Sequence, residues 1–331
     1  MKRTGKNKIW RVFAVAAAIL LVGAAGFYIG VMLPMRQEPD TGDRNVVSQS
    51  DLNTITYEGK KYRYNSNLLN ILFLGIDKNE ETGEDYLPGD AGQSDCIMLL
   101  TLNKETKEAR ILQIPRDTMT EVDLYDVNGN YYTTVQAQLA TQYSYGNGGT
   151  GSCWATKKTV SELLYDIPID AYLSLDMASI PIINDAVGGV TITIPKDYTN
   201  IDPAFEKGTT VTLTGKQADS YVHYRDTSVA FSNNERMQRQ VQYIPALITA
   251  IRNKVGAGSN YYEFFYPLVE KYMVTDLMED QINKLADYNL VTSEVQYVPG
   301  EGKQGEIYEE FHVDEKKLQE IIIKMFYILV E

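Results

Sequence analysis

The sequence predicts a mixed α/β fold, with a sheet buried on both faces and preceded by one membrane-spanning helix. Three observations predict it. NILFLGID (70–77), CIMLLTLN (96–103) and ARILQIP (109–115) are compact apolar runs of strand length, the pattern of strands covered on both sides. Helix-patterned segments alternate with strand-like ones along the chain. Residues 12–33 form a run of 22 without a charge. The 331 residues are 44% hydrophobic and 23% charged, the composition of a folded chain with room for one large domain or two ordinary ones.

A helix over 12–33, rising ~1.5 Å per residue, covers the ~30 Å hydrocarbon core of a bilayer. Lys2, Arg3, Lys6, Lys8 and Arg11 precede it, so the positive-inside rule leaves residues 1–11 in the cytoplasm and exports the rest. The small residues Gly23, Ala24, Ala25 and Gly26 would suit a cleaved signal peptide. The apolar run is longer than the ~7–15 residues of such a peptide's core, which favours an uncleaved signal-anchor. Residues 34–55 are polar and aperiodic and read as an extracellular linker, leaving 56–331 as the external domain.

Within that domain, ITYEGKKYRY (55–64) alternates around Gly59 as a hairpin. The three buried-type strands follow, the last two joined by KETKE. Thr156 to Tyr165 has helical character, and 171–176, 189–195 and 209–215 read as strands. Residues 235–252 read as an amphipathic helix that Pro245 should kink. The tail holds helices near 261–273 and 276–288, a strand at 294–298 and a helix from Asp314.

The formal charge is −13, and it is uneven: residues 1–36 carry six Lys/Arg and no acid, leaving 25 basic against 44 acidic groups, a net of −19. That excludes a protein that tracks nucleic-acid phosphates. The only two histidines, His223 and His312, argue against a histidine-rich zinc site, and two cysteines exclude a disulfide-stapled scaffold. In an exported domain Cys96 and Cys153 could pair or could be separate buried thiols; the oxidising compartment favours the disulfide.

Motifs for serine hydrolysis and for a nucleotide-binding P-loop are absent. Glycines 146, 148, 149 and 151 precede a helix and could place N–H groups around an anion, although such a loop is more often a connection. What remains is acids and arginines at the ends of apolar runs. Asp77 closes the first and Asp95 opens the second. Arg116 and Asp117 end the third, and Arg225 and Asp226 follow YVHY. Arg236, Arg239 and Gln240 start the long helix. Strand ends are where open α/β sheets bind ligands. Paired carboxylates suit a hard cation, Mg²⁺ or Mn²⁺, and guanidiniums hold phosphate oxygens in pairs. A domain of net −19 needs a local positive cluster to hold a pyrophosphate.

NILFLGID, QSDCIMLLTLN, ILQIPRDT, DAVGGVTITIP, LTGKQADSYVHYRD and ERMQRQ occur, in that order, as in the LytR-CpsA-Psr family, which the chain resembles from about residue 70 to 252. Residues 253–331 then form a C-terminal α/β extension. The resemblance implies an α/β/α external domain with a mixed sheet, on a single-pass anchor, at the wall of a Gram-positive type of bacterium. It also implies a Mg²⁺-dependent phosphotransferase, with pyrophosphatase side activity. Such an enzyme moves a phosphorylated glycopolymer (teichoic acid, capsular polysaccharide or a related wall glycan) from a polyprenyl-pyrophosphate carrier to a peptidoglycan hydroxyl.

Position by position, the resemblance makes Asp77 and Asp95 the metal-linked acids. Arg116, His223, Arg225, Arg236 and Gln240 become the pyrophosphate-binding residues, with Asp77, Asp95, Arg116 and Arg225 catalytic. Gln93, His223 and Asn233 stand where the family has Arg, Arg and Asp, and His223 offers a charge only when protonated. The proton acceptor is not evident; Asp117 or Asp226 could serve, or cap a turn. The alternative is a polyprenyl-pyrophosphate-binding scaffold with impaired turnover. Either function needs an apolar groove, for which DAYLSLDMASIPIINDAVGG and the helix around Val241 to Ile251 supply the side chains.

Overall fold

The computed structural model describes residues 54–83, 86–256, 258–291 and 295–330. The expected membrane helix at 12–33 and its flanks, 1–11 and 34–53, lie outside the described residues. Among the described residues no helix is long and apolar enough to cross a membrane.

Thr54–Tyr57 (β1) and Lys60–Tyr64 (β2) form the expected hairpin. The three apolar runs are strands Leu68–Ile76 (β3), Ser94–Asn103 (β4) and Glu108–Ile114 (β5). Met119–Tyr125 (β6) and Tyr131–Gln138 (β7) form a second hairpin, which the apolar pattern does not announce because its strands are largely polar and exposed. Thr141–Ser144 (α1) and Thr150–Leu163 (α2) lead to Ala171–Asp176 (β8) and Ser179–Ala186 (α3). Val190–Thr193 (β9) and Thr210–Leu213 (β10) pair as a small ribbon.

The YVHY run closes a helix, Gly215–His223 (α4), so Arg225 follows a helix end and not a strand end. Its N-terminus carries a capping box: Thr214 Oγ1 accepts from Gln217 N–H, and Gln217 Oε1 accepts from Thr214 N–H at 3.1 Å. Asn233–Val255 (α5) runs on through Pro245. The tail contains Tyr261–Val269 (α6), Met273–Thr275 (β11), Glu279–Leu285 (α7), Asn289–Leu290 (β12), Gln296–Tyr297 (β13), Gly300–Gln304 (β14), Glu309–Val313 (β15), Glu315–Phe326 (α8) and Tyr327–Leu329 (β16). Asp314 caps α8 by accepting from Lys317 N–H at 3.1 Å.

The central sheet has the order β11-β8-β3-β4-β5-β12, with β13 also on β5. It is mixed, as expected: β3/β8 and the pairs of β5 with β12 and β13 are parallel, and the rest are antiparallel. Alternation sends Leu72, Leu74, Leu99 and Leu112 to one face, under α2 and α8. Ile71, Phe73, Met98 and Ile111 face the other way, toward α5, α6 and α7. The layers are therefore α/β/α.

The expected disulfide is absent. Cys96 and Cys153 are both free and buried. Cys96 packs with Met98 and Ile111 on one face of the sheet, and Cys153 packs with Leu72 and Val160 on the other, so the strand layer lies between them. Burial pushes both thiols up to about 12.

Candidate functional site

Asp77, Asp95, Arg116 and Asp117 meet at one end of the sheet because β3 and β5 finish there and the antiparallel β4 begins there. Strand alternation alone would turn Asp95 toward the packed face, with Ile97 and Leu99. A bulge intervenes: Gly75 pairs with Cys96 and Ile76 with Ser94, so Asp95 is the extra residue and is re-aimed. Its carboxylate accepts from Arg116 Nη1 through one oxygen and from Arg236 Nη1, at the start of α5, through the other. Arg116 Nη2 also donates to Gln93 Oε1. Asp77 accepts from Gln93 N–H, and Gly92 permits this close approach: it holds φ +84°, and a Cβ there would stand 3.0 Å from Asp77 Oδ1. Burial pushes the Asp77 carboxyl above its usual range.

The network continues through a residue for which sequence reasoning left two roles open. Asp117 accepts from Asn233 Nδ2 at 2.9 Å and Gln138 Nε2 at 3.0 Å, and lies 3.3 Å from Arg116 Nε. Burial raises its pKa against the opposing pull of Arg116, Arg225 and Arg236. Asn233 Oδ1 in turn accepts from Arg236 Nη2 at 2.8 Å and Nε at 3.1 Å. Arg225 joins from the segment after α4, through Glu309 on β15. Nothing in the sequence marks Glu309, because its role depends on a hairpin folding back from the far end of the chain.

The arginines of the cluster sit among counter-charges. The guanidiniums of Arg116, Arg225 and Arg236 face the carboxylates of Asp95, Asp117 and Glu309, as buried charge demands counter-charge. Two buried polar atoms of the site residues make no hydrogen bond, Gln240 Oε1 and Arg116 Nε, the latter having only its ion pair with Asp117.

His223 contacts Asp219 at 2.6 Å across one helical turn. Arg239 serves architecture: it donates to the carbonyls of Tyr221, at 2.6 Å, and Tyr224, tying down the end of α4. Asp226 caps a turn by accepting from Ser228 N–H at 3.0 Å. Several amides of the glycine-rich loop are already spent within the loop. Gly148 N–H donates to Ser152 Oγ at 2.8 Å, and Asn147 Oδ1 accepts from Gly149 and Ser152 N–H. Gly148 itself is needed at φ +81° against Tyr86.

Beneath the same sheet lies an apolar cavity of about 260 Å³. Its walls include Phe73, Met98 and Leu173 from the strands, Ile183 from α3, and Ile244 and Leu247 from α5. Both segments expected to supply a groove contribute. Along β3 the wall residues Ile71 and Phe73 share a face with Gly75, and Asp77 directly follows the strand's last residue, Ile76, so the cavity points toward the charged cluster. Arg236 and Gln240 precede Ile244 on α5 at intervals of four, on the same helical face.

Among the described residues no group of three or more His, Cys, Asp and Glu gathers that could hold a metal. Asp77 and Asp95 offer oxygen donors only. That set fits a hard dication such as Mg²⁺ completed by substrate oxygens, and does not fit zinc.

The LytR_cpsA_psr family model matches residues 37–326. The "Polyisoprenyl-teichoic acid--peptidoglycan teichoic acid transferase TagU" of Bacillus mycoides is 31% identical over 241 residues, covering 71% of this chain and 69% of that protein. The protein of the same description from Enterococcus faecalis is 28% identical over 323 residues, covering 94% and 95%. A solved structure of TagT bound to LI-WTA superposes with a TM-score of 0.58 at 23% identity, covering 78% of this chain and 90% of that one.

Proposed function

Because this chain belongs to the LytR-CpsA-Psr family, we propose that it transfers a phosphorylated glycopolymer of the teichoic-acid kind from a polyprenyl-pyrophosphate carrier to a peptidoglycan hydroxyl. The relatives described as teichoic acid transferases support the reaction class. The observation that carries it for this chain is the pairing of an apolar cavity with an arginine–carboxylate cluster at the end of the same strands. One holds a hydrocarbon tail and the other a pyrophosphate.

In this reading Arg116, Arg225 and Arg236 take the pyrophosphate oxygens, with the Gln240 amide and His223 beside them. Positioning and offsetting of charge are most of what phosphoryl transfer asks of a protein. The acceptor hydroxyl oxygen attacks the phosphorus that carries the polymer, the bridging P–O bond breaks toward the carrier, and the hydroxyl proton passes to solvent. The polymer leaves as a phosphodiester to the wall, with polyprenyl phosphate as the other product. Asp77 and Asp95 would hold Mg²⁺ or Mn²⁺, which supplies positive charge against the pyrophosphate when bound. Asp117 is held by two amides and Asp226 by its turn, so neither is assigned as the base. Water in place of the sugar hydroxyl would give a pyrophosphatase side reaction. The anchor at 12–33 would keep the domain at the outer membrane surface, where carrier and peptidoglycan meet.

One observation favours the scaffold alternative: both Asp95 oxygens are already taken by arginines. The test is incubation of the full-length protein with a lipid-linked glycopolymer and peptidoglycan fragments, with and without Mg²⁺. Polymer on the acceptor together with released polyprenyl phosphate is the expected result. Carrier binding with no release under any metal condition would leave the scaffold.

A further inference from the structure

The hairpin β14–β15 reaches the arginine cluster through one side chain. Glu309, the first residue of β15, accepts from Arg225 Nη2 with one carboxylate oxygen and from the Phe231 N–H, at 2.7 Å, with the other. Arg225 Nε donates to Ser232 Oγ at 3.2 Å, so the guanidinium is gripped on two edges. The hairpin is itself fastened to the site. Phe311 N–H donates to the Asp117 carbonyl at 2.8 Å, and Gln138 Nε2 donates both to the Glu309 carbonyl, at 2.8 Å, and to Asp117 Oδ1. Residues 224–232 form no helix or strand, and Phe231 holds a φ of 56°, a left-handed conformation that a bulky side chain adopts only when its surroundings impose it. The bond to Glu309 is such a constraint.

We propose that Glu309 is a positioning residue, which presents Arg225 to the pyrophosphate and orders the segment leading into α5. This rests on the pyrophosphate reading of the site. Simple electrostatics and positioning predict opposite signs. Glu309 is an anion beside an anion-binding site, so if only its charge mattered, removing that charge would tighten binding. If Glu309 holds Arg225 in place, removing the charge frees the guanidinium from the one geometry in which its planar fork meets phosphate oxygens, and binding weakens.

The full-length protein in detergent is titrated with a short-chain polyprenyl pyrophosphate as wild type, Glu309→Gln, Arg225→Ala and the double variant, with thermal melts of each. Glu309→Gln is expected to raise Kd about tenfold. Arg225→Ala should raise it at least as much, and the double variant no further than Arg225→Ala. Equal or tighter binding by Glu309→Gln overturns the positioning role, as does an additional loss in the double variant. Ser232→Ala loosens the other hold on Arg225 without touching the hairpin and should give a smaller loss. No loss there, beside a Glu309→Gln protein that is merely less stable, also overturns it. A wild type that does not bind the probe overturns the pyrophosphate reading itself and this role with it.

Discussion

The two faces of the central sheet are walled by the same residue types yet finish differently. Leu72, Leu74, Leu99 and Leu112 are wholly buried under α2 and α8. Their immediate chain neighbours Phe73, Met98 and Ile111, turned to the opposite side, line a cavity of about 260 Å³ beneath α5, α6 and α7. An unfilled apolar wall forfeits dispersion contacts that a packed one collects. An apolar run therefore marks a wall, and the spacing of the helices above decides whether the wall is core or receptor.

The sharpest test of that contrast lies on α5, which borders both the cavity and the small β9–β10 layer. Arg236→Ala should lower transfer about 100-fold or more by unmaking the Asp95–Asn233 network. Arg239→Ala should instead cost about 2–3 kcal/mol of stability, by leaving the Tyr221 and Tyr224 carbonyls without their donor, while the rate per folded molecule stays near wild type. Equal rate losses would erase the distinction between the two arginines. Next come the walls. Leu74→Ala on the packed face should cost about 3–4 kcal/mol in chemical denaturation. Leu100→Ala, beside the cavity, should cost about 1 kcal/mol, because its neighbours already lack atoms on one side. Similar costs would mean that the hollow is filled in solution.

Asp176 tests the packed face, which it ends after Tyr172 and Ser174. Burial lifts its pKa from 3.8 to about 6, partly opposed by the hydroxyl of Thr82, which donates at 2.8 Å. A raised acid penalises the folded state wherever it is ionised. The penalty is complete above about pH 6 and is relieved as pH falls toward 3.8. Asp176→Asn should therefore stabilise the protein by up to about 3 kcal/mol at pH 7.5 and by little near pH 4, read from melts across pH. A gain that does not depend on pH would assign the effect to packing. The smallest effect is expected of the cysteines. Reductant should leave the melting temperature unchanged, intact mass should show two free thiols, and slow alkylation should begin at Cys96, on the cavity side. A reductant-sensitive melt would restore the disulfide.

Most strands were legible because a sheet covered on both faces requires unbroken apolar runs, and β3, β4, β5 and β8 are such runs. The β6–β7 hairpin carries polar strands, yet Asn128-Gly129 at its turn was a readable signal. The helix α4 also had a signal, the Thr214–Gln217 capping box, which the tyrosines and valine of YVHY obscured. Asp77, Asp95 and Arg116 could be brought together by reasoning about strand ends. The bulge that aims Asp95 could not, since it depends on register between strands. Glu309 could not either, being 84 residues from its partner Arg225. The disulfide expectation failed because compartment chemistry says nothing about which side of a sheet a thiol occupies.

The helix α5 places Arg236, Gln240, Ile244, Leu247 and Ile251 along one side of a single rod. At ~1.5 Å per residue, about 22 Å separate the first of these from the last. Under the proposed function, headgroup and tail would be gauged by one rigid ruler. The loops at the sheet's end can lengthen without disturbing that scale. A single residue inserted between Gln240 and Ile244 would turn everything beyond it by about 100°, swinging the greasy graduations away while the charged zero mark stayed in place.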